Sequence, residues 1–333
     1  MTTTRPETRE ATLAAIRGVV ARGQRFLITA HVKPDGDAIG CELALAGALR
    51  ALDKDVRVVN RDSAPPPLQT FPGVADIERL AEVDGSFDAA FVLECGDLER
   101  TGIGGLERLF LINIDHHPGN TLFGAVNWFD GSAAACGEMV FELIRALGVP
   151  LTAEMATHLY VAILTDTGSF HYPGVSPRTF DICRQLVESG VDPVAVARAV
   201  YDSNTIGRLR LFAAVMSTLE VDSRGRLVTI RLDQAMALAS GGSFDDIEGL
   251  INMPLTVREI EAVVFFKEAG DGTYRVSFRS KGAIDVGAVA AGLGGGGHRN
   301  AAGCTVAGSL DDVRARVLPL VEAAIESRTQ HTS

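Results

Sequence analysis

The sequence predicts an α/β protein: an N-terminal parallel sheet with helices on both faces, followed by a smaller C-terminal mixed α+β domain. Three observations predict it. Short continuous apolar runs alternate with helical patterns through the first half of the chain, as in strands buried on both faces. After about Asp202 the pattern changes, and a hairpin with short helices takes over. Finally, 333 residues at 47% hydrophobic and 22% charged suit two globular domains, and they exclude a disordered, collagen-like or coiled-coil chain.

The elements follow in order. Residues 26–30 (Phe-Leu-Ile-Thr-Ala) read as a buried strand, and a polar turn leads into a helix over 36–52. Strands are expected at 56–59, 89–93 and 109–114, and helices at 132–147, 153–165, 177–189 and 193–202. The stretch Ala64-Pro65-Pro66-Pro67 reads as an extended loop. In the second half a helix near 205–220 precedes a strand at 227–232. Residues 262–266 and 274–278 form a hairpin about Gly270-Asp271-Gly272, and a short helix starts near Asp285. The expected organisation is a domain over 12–192, a linker over 193–206 and a second domain over 207–328.

Composition removes several function classes. The net charge is −11, and such a chain repels long duplex nucleic acid, whose affinity rests on many Lys and Arg contacts to phosphate. A small anionic substrate stays open, because bound divalent cations dominate the local field. No apolar run approaches the ~20 residues needed to span a bilayer. The N-terminus carries acidic residues and lacks the apolar stretch of a secretory signal. Five scattered cysteines (Cys41, Cys95, Cys136, Cys183, Cys304) form no C-x-x-C pair. A disulfide framework or zinc ribbon is not expected, and a reducing cytoplasm is the natural compartment.

Ligands of an open parallel sheet bind beyond the carboxyl ends of its strands. Those ends carry the chemistry here. His31-Val32-Lys33-Pro34-Asp35-Gly36-Asp37 follows the first strand, Glu94-Cys95-Gly96-Asp97 the third and Asp115-His116-His117 the fourth, while Thr165-Asp166-Thr167-Gly168 ends a helix. Carboxylates and imidazoles without thiolates suit Mn²⁺ or Mg²⁺ rather than structural zinc. Asp35 and Asp37 flank Gly36, so two carboxylates can face two adjacent cations, the arrangement of phosphatases and nucleases. Taken singly, each feature has an ordinary explanation: Pro-Asp-Gly is a turn, His116 a bonded core histidine, Asp115 a carboxylate that fixes the His116 ring, Asp166 a cap. Their coincidence after four separate elements is what those explanations leave over. In the second domain, Gly294-Gly295-Gly296-Gly297-His298 cannot be a helix or strand interior and suits close backbone approach to an anion. Arg279, at the end of the hairpin, can grip a phosphate.

Together these segments resemble the DHH phosphoesterase family, named for the triplet found here as Asp115-His116-His117. His31 through Gly40 match His-x-x-Pro-Asp-Gly-Asp-Ala-x-Gly, Thr165 through Phe170 match Thr-Asp-Thr-Gly-Ser-Phe, and Gly294 through Gly303 match the signature of the DHH-associated C-terminal domain. The resemblance runs from about residue 15 to 325 and is nearest to the compact bifunctional oligoribonuclease and pAp phosphatase branch (pAp is 3′-phosphoadenosine-5′-phosphate). It implies two Mn²⁺ ions, with Mg²⁺ as the alternative. One would be held by His31, Asp35 and a bridging carboxylate, the other by Asp37, the same bridge, His116 and Asp166. His117, with Asp115 and Arg100, would form the catalytic group, and Arg279, Ser280, Gly295, Gly296 and His298 would hold the far part of the substrate in a cleft between the domains. Substrates would be short oligoribonucleotides and pAp, with a homodimer as the family's assembly. The family places Asp at the bridge, six residues before an Arg; here Arg100 counts back to Glu94. Glu94 directly ends the predicted strand and is preferred, with Asp97 as the rival. Rival activities are hydrolysis of pApA or cyclic-di-AMP, inorganic pyrophosphatase, and a nucleotide sensor without turnover.

Overall fold

The first apolar run becomes a central strand. After α1 (Arg9–Arg22), β1 (Arg25–Thr29) enters the sheet, and α2 (Gly36–Arg50) carries the chain to β2 (Asp55–Asn60). Next come β3 (Glu78–Arg79), β4 (Ala89–Leu93), β5 (Leu111–Asp115) and β6 (Val126–Phe129), then α3 (Cys136–Ala146), α4 (Ala153–Asp166), α5 (Pro177–Glu188) and α6 (Pro193–Tyr201). The strands lie in the order β3-β2-β1-β4-β5-β6, all parallel. This computed structural model describes residues 8–172, 174–202, 204–242, 247 and 249–329. The chain forms two compact units, Met1–Ser203 and Asn204–Ser333. The stretch expected as a linker, 193–206, is mostly α6.

The two faces of the first sheet are covered differently. Phe26, Ile28, Phe91, Leu93, Ile112 and Ile114 pack with all six α-helices in one core. The alternate residues Leu27, Val59, Ala90, Val92 and Leu111 pack beneath Val83, Ile103 and Leu106, so this face is covered by loops and short 3-10 turns at Leu98–Thr101 and Leu106–Arg108. β3 and β6 were not expected from the sequence. β3 has two exposed residues and β6 only one buried, so neither shows an apolar run. The Pro-rich stretch folds partly into a 3-10 turn, Pro66–Leu68.

Asp35 starts α2 by accepting from the amides of Asp37 and Ala38. That helix then lies against α4 almost backbone to backbone. A Cβ on Gly36 would fall 2.3 Å from Thr165 Oγ1, and one on Gly40 would fall 2.3 Å from the His158 carbonyl. Because only glycine fits, the start of α2 comes beside the end of α4, and Asp37 beside Asp166.

The second unit comprises α7 (Ile206–Met216), β7 (Glu220–Val221), β8 (Leu227–Leu232), α8 (Gln234–Ser240), β9 (Ala262–Gly270), β10 (Thr273–Ser280), α9 (Val286–Gly292), β11 (Gly296–His298), β12 (Ala301–Ala307) and α10 (Leu310–Thr329). Its sheet runs β11-β12-β10-β9-β8-β7, antiparallel except for β8 beside β9. Val264, Phe266, Val276 and Phe278 meet α9 and α10 on one face, while Val263 and Phe265 meet α7 and α8 on the other. The glycine run corrects one expectation. Gly296 and Gly297 open a strand, paired with β12 through Gly296–Gly303 and Gly297–Ala302. An edge strand needs only backbone pairing on one side, which glycine supplies as well as any residue. Among the described residues, no helix is long and apolar enough to cross a membrane.

Candidate functional site

The carboxyl edge of the first sheet gathers the acidic and imidazole groups. β1, β4 and β5 deliver His31, Glu94 and His116, while α2 carries Asp37 in its first turn and α4 ends with Asp166. Ligand atoms of Asp37, Glu94, His116 and Asp166 all lie within 4.8 Å of one another, and those of Glu94, His116 and His117 form a second such group. His116 Nε2 stands 3.2 Å from Glu94 Oε1, 3.3 Å from Asp166 Oδ2 and 4.0 Å from Asp37 Oδ2. Its Nδ1 lies 3.0 Å from the Ala133 carbonyl. A carbonyl can only accept, so Nδ1 carries a proton; Nε2 faces the carboxylates, donates to Glu94 in the metal-free protein, and is the atom a cation would take in place of that proton. His31 follows the same logic, with Nδ1 donating to the Val32 carbonyl at 2.8 Å. His31 and Asp35 stand together, 3.9 Å apart, but outside the four-residue cluster.

The cluster fits a bound divalent cation. Asp37 and Glu94 are fully buried. Asp37 is aimed by the amides of Cys136 and Gly137, at 2.6 and 2.9 Å, which hold both its oxygens at the start of α3. Glu94 Oε2 is buried and has no hydrogen-bond partner among the described residues. A buried carboxylate oxygen with no partner is costly, and a cation would supply one. The protonation states agree. Burial, with Glu94 and Asp166 close by, pushes Asp37 well above the carboxylate range. Burial lifts Glu94 to about 7 and raises Asp166. At His116 burial opposes charge, but the Glu94 and Asp37 carboxylates outweigh it and raise the ring to about 10. Three carboxylates thus share protons around one imidazole, and a cation would displace them. All donors are oxygen or imidazole nitrogen, a set that suits a divalent cation.

Three further residues singled out in the sequence have other partners. Asp115 orients His117 rather than His116: its Oδ1 lies 2.9 Å from His117 Nδ1. Asn120 Nδ2 donates to Asp115 Oδ2 at 2.6 Å, and these bonds overcome burial to hold the carboxyl below its usual range. Asn120 and the Ala133 carbonyl were missed in the sequence. Asn120 sits in an ordinary polar loop, and a backbone acceptor leaves no trace in residue type. Asp97, the rival bridge, caps the 98–101 turn by accepting from the Glu99 amide at 2.9 Å. Arg100 is exposed and lies outside the cluster. Its contribution here is a backbone carbonyl that accepts from the Val32 amide at 2.8 Å.

The second-unit candidates divide in the same way. Arg279 is half-buried, donates to the Phe278 carbonyl at 3.0 Å and has no acidic partner among the described residues. Burial lowers its pKa. Lys267 and Arg275 sit opposite each other in register on the same sheet. Gly296 faces open space and His298 is exposed. Ser280 and Gly295 do internal work instead. The Ser280 hydroxyl donates to the Ile284 carbonyl and accepts from Asn300. A Cβ on Gly295 would stand 2.2 Å from the Gly303 carbonyl, so that glycine allows close strand packing.

Comparison with known proteins agrees with this geometry. Residues 25–163 match the DHH family, N-terminal domain, and residues 232–327 match the DHHA1 domain. A Thermus thermophilus protein, "Bifunctional oligoribonuclease and PAP phosphatase NrnA", is 35% identical over 88% of this chain and 88% of its own length. A Bacillus subtilis protein of the same name is 27% identical over 84% of this chain and 89% of its own. Among solved structures, an exopolyphosphatase-related protein from Bacteroides fragilis superposes with a TM-score of 0.86 at 26% identity, covering 96% of this chain and 98% of its own.

Proposed function

This chain belongs to the DHH phosphoesterase family, and we propose that it hydrolyses short oligoribonucleotides to nucleoside 5′-monophosphates and pAp to AMP and phosphate, with two Mn²⁺ ions. The observation that carries this reading is the buried Asp37–Glu94–His116–Asp166 cluster, with an unpartnered Glu94 oxygen, at the carboxyl edge of a parallel sheet. Oligoribonucleotides and pAp are the substrates named for the Thermus and Bacillus relatives.

Asp37, His116 and Asp166 would hold one cation, His31 and Asp35 the other, with Glu94 shared between them. When bound, the cations would lower the pKa of water and neutralise charge on phosphoryl oxygens. The chain's own groups do the rest. The Cys136 and Gly137 amides keep Asp37 aimed. Asp115 accepts from His117 Nδ1 and fixes the ring, so that Nε2, when it too carries a proton, would donate to a non-bridging phosphoryl oxygen as its charge grows. Arg279, Gly296 and His298 are assigned to the distal part of the substrate. The net charge of −11 disfavours long duplex nucleic acid.

The test is product analysis with a diribonucleotide, pAp, pApA, pyrophosphate and a long RNA, each with Mn²⁺ and with Mg²⁺. The expected result is Mn²⁺-dependent release of nucleoside monophosphate from the dinucleotide and of phosphate from pAp, with long RNA a poor substrate. Pyrophosphate turned over far faster than every nucleotide would overturn the reading.

A further inference from the structure

Directly after Asp166 the backbone does something uncommon. Gly168, Ser169 and Phe170 have φ of +55°, +60° and +64°, three left-handed residues in succession. L-residues visit this region singly and at a cost, and such runs persist only where the surroundings over-determine them. Here they do. The Ser169 amide donates to the Leu164 carbonyl at 2.9 Å, and its hydroxyl to the Tyr201 hydroxyl at 3.0 Å. Thr167 Oγ1 accepts from the Phe170 amide at 3.0 Å, and the Thr167 carbonyl from the amides of His171 and Tyr172 at 2.9 and 3.0 Å.

The consequence is that the chain doubles back and lays the Tyr172 ring on Gly168. A Cβ at that glycine would stand 2.5 Å from Tyr172 Cε2 and 2.6 Å from Cζ, so the ring needs glycine beneath it. Tyr172 is nevertheless 55% exposed, with the His171 ring edge-on to its ring at 6.2 Å. A strained turn with a hydrogen-bonded backbone thus seats an exposed aromatic residue against Gly168, and the residue whose carbonyl anchors the Tyr172 amide is the immediate neighbour of the cluster carboxylate Asp166.

We infer that Tyr172 is a stacking surface for the nucleobase of the nucleotide whose phosphate is held at the Asp37–Glu94–His116–Asp166 cluster. The inference rests on the phosphoesterase reading above and deepens it: the substrate is recognised by a planar base as well as by phosphate. A flat, preorganised ring accepts any base face, so it gives affinity with little sequence preference.

The experiment compares wild type, Tyr172→Ala and Tyr172→Phe with Mn²⁺ on two substrates, pAp and the base-free methyl ribofuranoside 3,5-bisphosphate. Tyr172→Ala should raise KM for pAp about tenfold, the scale of one base–aromatic stack, while Tyr172→Phe stays near wild type. All three should process the base-free compound alike. An unchanged KM for pAp in Tyr172→Ala, or an equal loss on both substrates, overturns the inference. A second readout needs no turnover. Tyr172→Trp should be quenched by AMP and not by ribose 5-phosphate, over the steady background of buried Trp128. Equal or absent quenching also overturns it. A wild-type enzyme that hydrolyses neither pAp nor short RNA refutes the activity instead, and the quenching still decides the stacking.

Discussion

Glu94 carries more contradiction than any other residue of the first unit. It is fully buried, has a left-handed backbone with φ +57°, and leaves one carboxylate oxygen without a partner. The backbone alone costs ~1–2 kcal/mol relative to an ordinary conformation. Burial raises its pKa to about 7, so the charged form is disfavoured as well. His116, 3.2 Å from the other carboxylate oxygen, offsets only part of this, and a shared cation would supply the partner that Oε2 lacks. Glu94→Gln should therefore lower Mn²⁺-dependent turnover by more than the ~10–100-fold typical of outer-shell changes. The same change should leave the metal-free protein at least as stable in urea, because it removes a buried like charge beside Asp37. Asp97→Asn should keep Mn²⁺ dependence and cost at most ~1 kcal/mol through a weakened cap. If Asp97→Asn abolished the metal response while Glu94→Gln kept it, the bridging role would pass to Asp97.

At the scale of elements, α4 links stability to the site. Its end carries Asp166, and two turns earlier His158 lies against α2, where its carbonyl excludes any side chain at position 40. The His158 ring is 3% exposed, and burial pushes its pKa down to about 4. The folded state thus holds a neutral ring between about pH 4 and 6.5, where the unfolded chain takes up a proton. A lowered folded pKa means stability is full above the unfolded value and falls with pH toward the folded one. The loss is about 3 kcal/mol between pH 7 and pH 4. Chemical denaturation of His158→Gln should show this part of the acid sensitivity removed; parallel pH profiles for variant and wild type would refute it. The glycines behind this packing were legible as a motif but not as a contact. Gly36 looks like a turn residue, and only the structure shows Thr165 filling the space above it.

Across the whole molecule, the legible and illegible parts separate by where the signal lies. Buried strands such as β1 and β4 are apolar runs, and His31, Glu94 and His116 follow strand ends that the sheet rule singles out. The same logic could not reveal which histidine Asp115 serves, because that choice turns on Asn120 and the Ala133 carbonyl. It also missed β12 and α10: Ala301-Ala302-Gly303 lacks strand-forming side chains, and α10 has Pro319 inside it. What the structure adds at this scale is ownership. The cores of the first unit are built from residues up to Val200, those of the second from Leu211 onward. The metal-type cluster lies wholly in the first unit. Binding to the folded state alone stabilises by mass action, ~2.7 kcal/mol at a hundred times Kd. Calorimetry should then resolve two transitions, of which Mn²⁺ raises one and leaves the other in place. Glu94→Gln should abolish that shift without moving the second transition. Equal displacement of both, or none with wild type, would mean that the cation does not bind where the first unit's carboxylates converge.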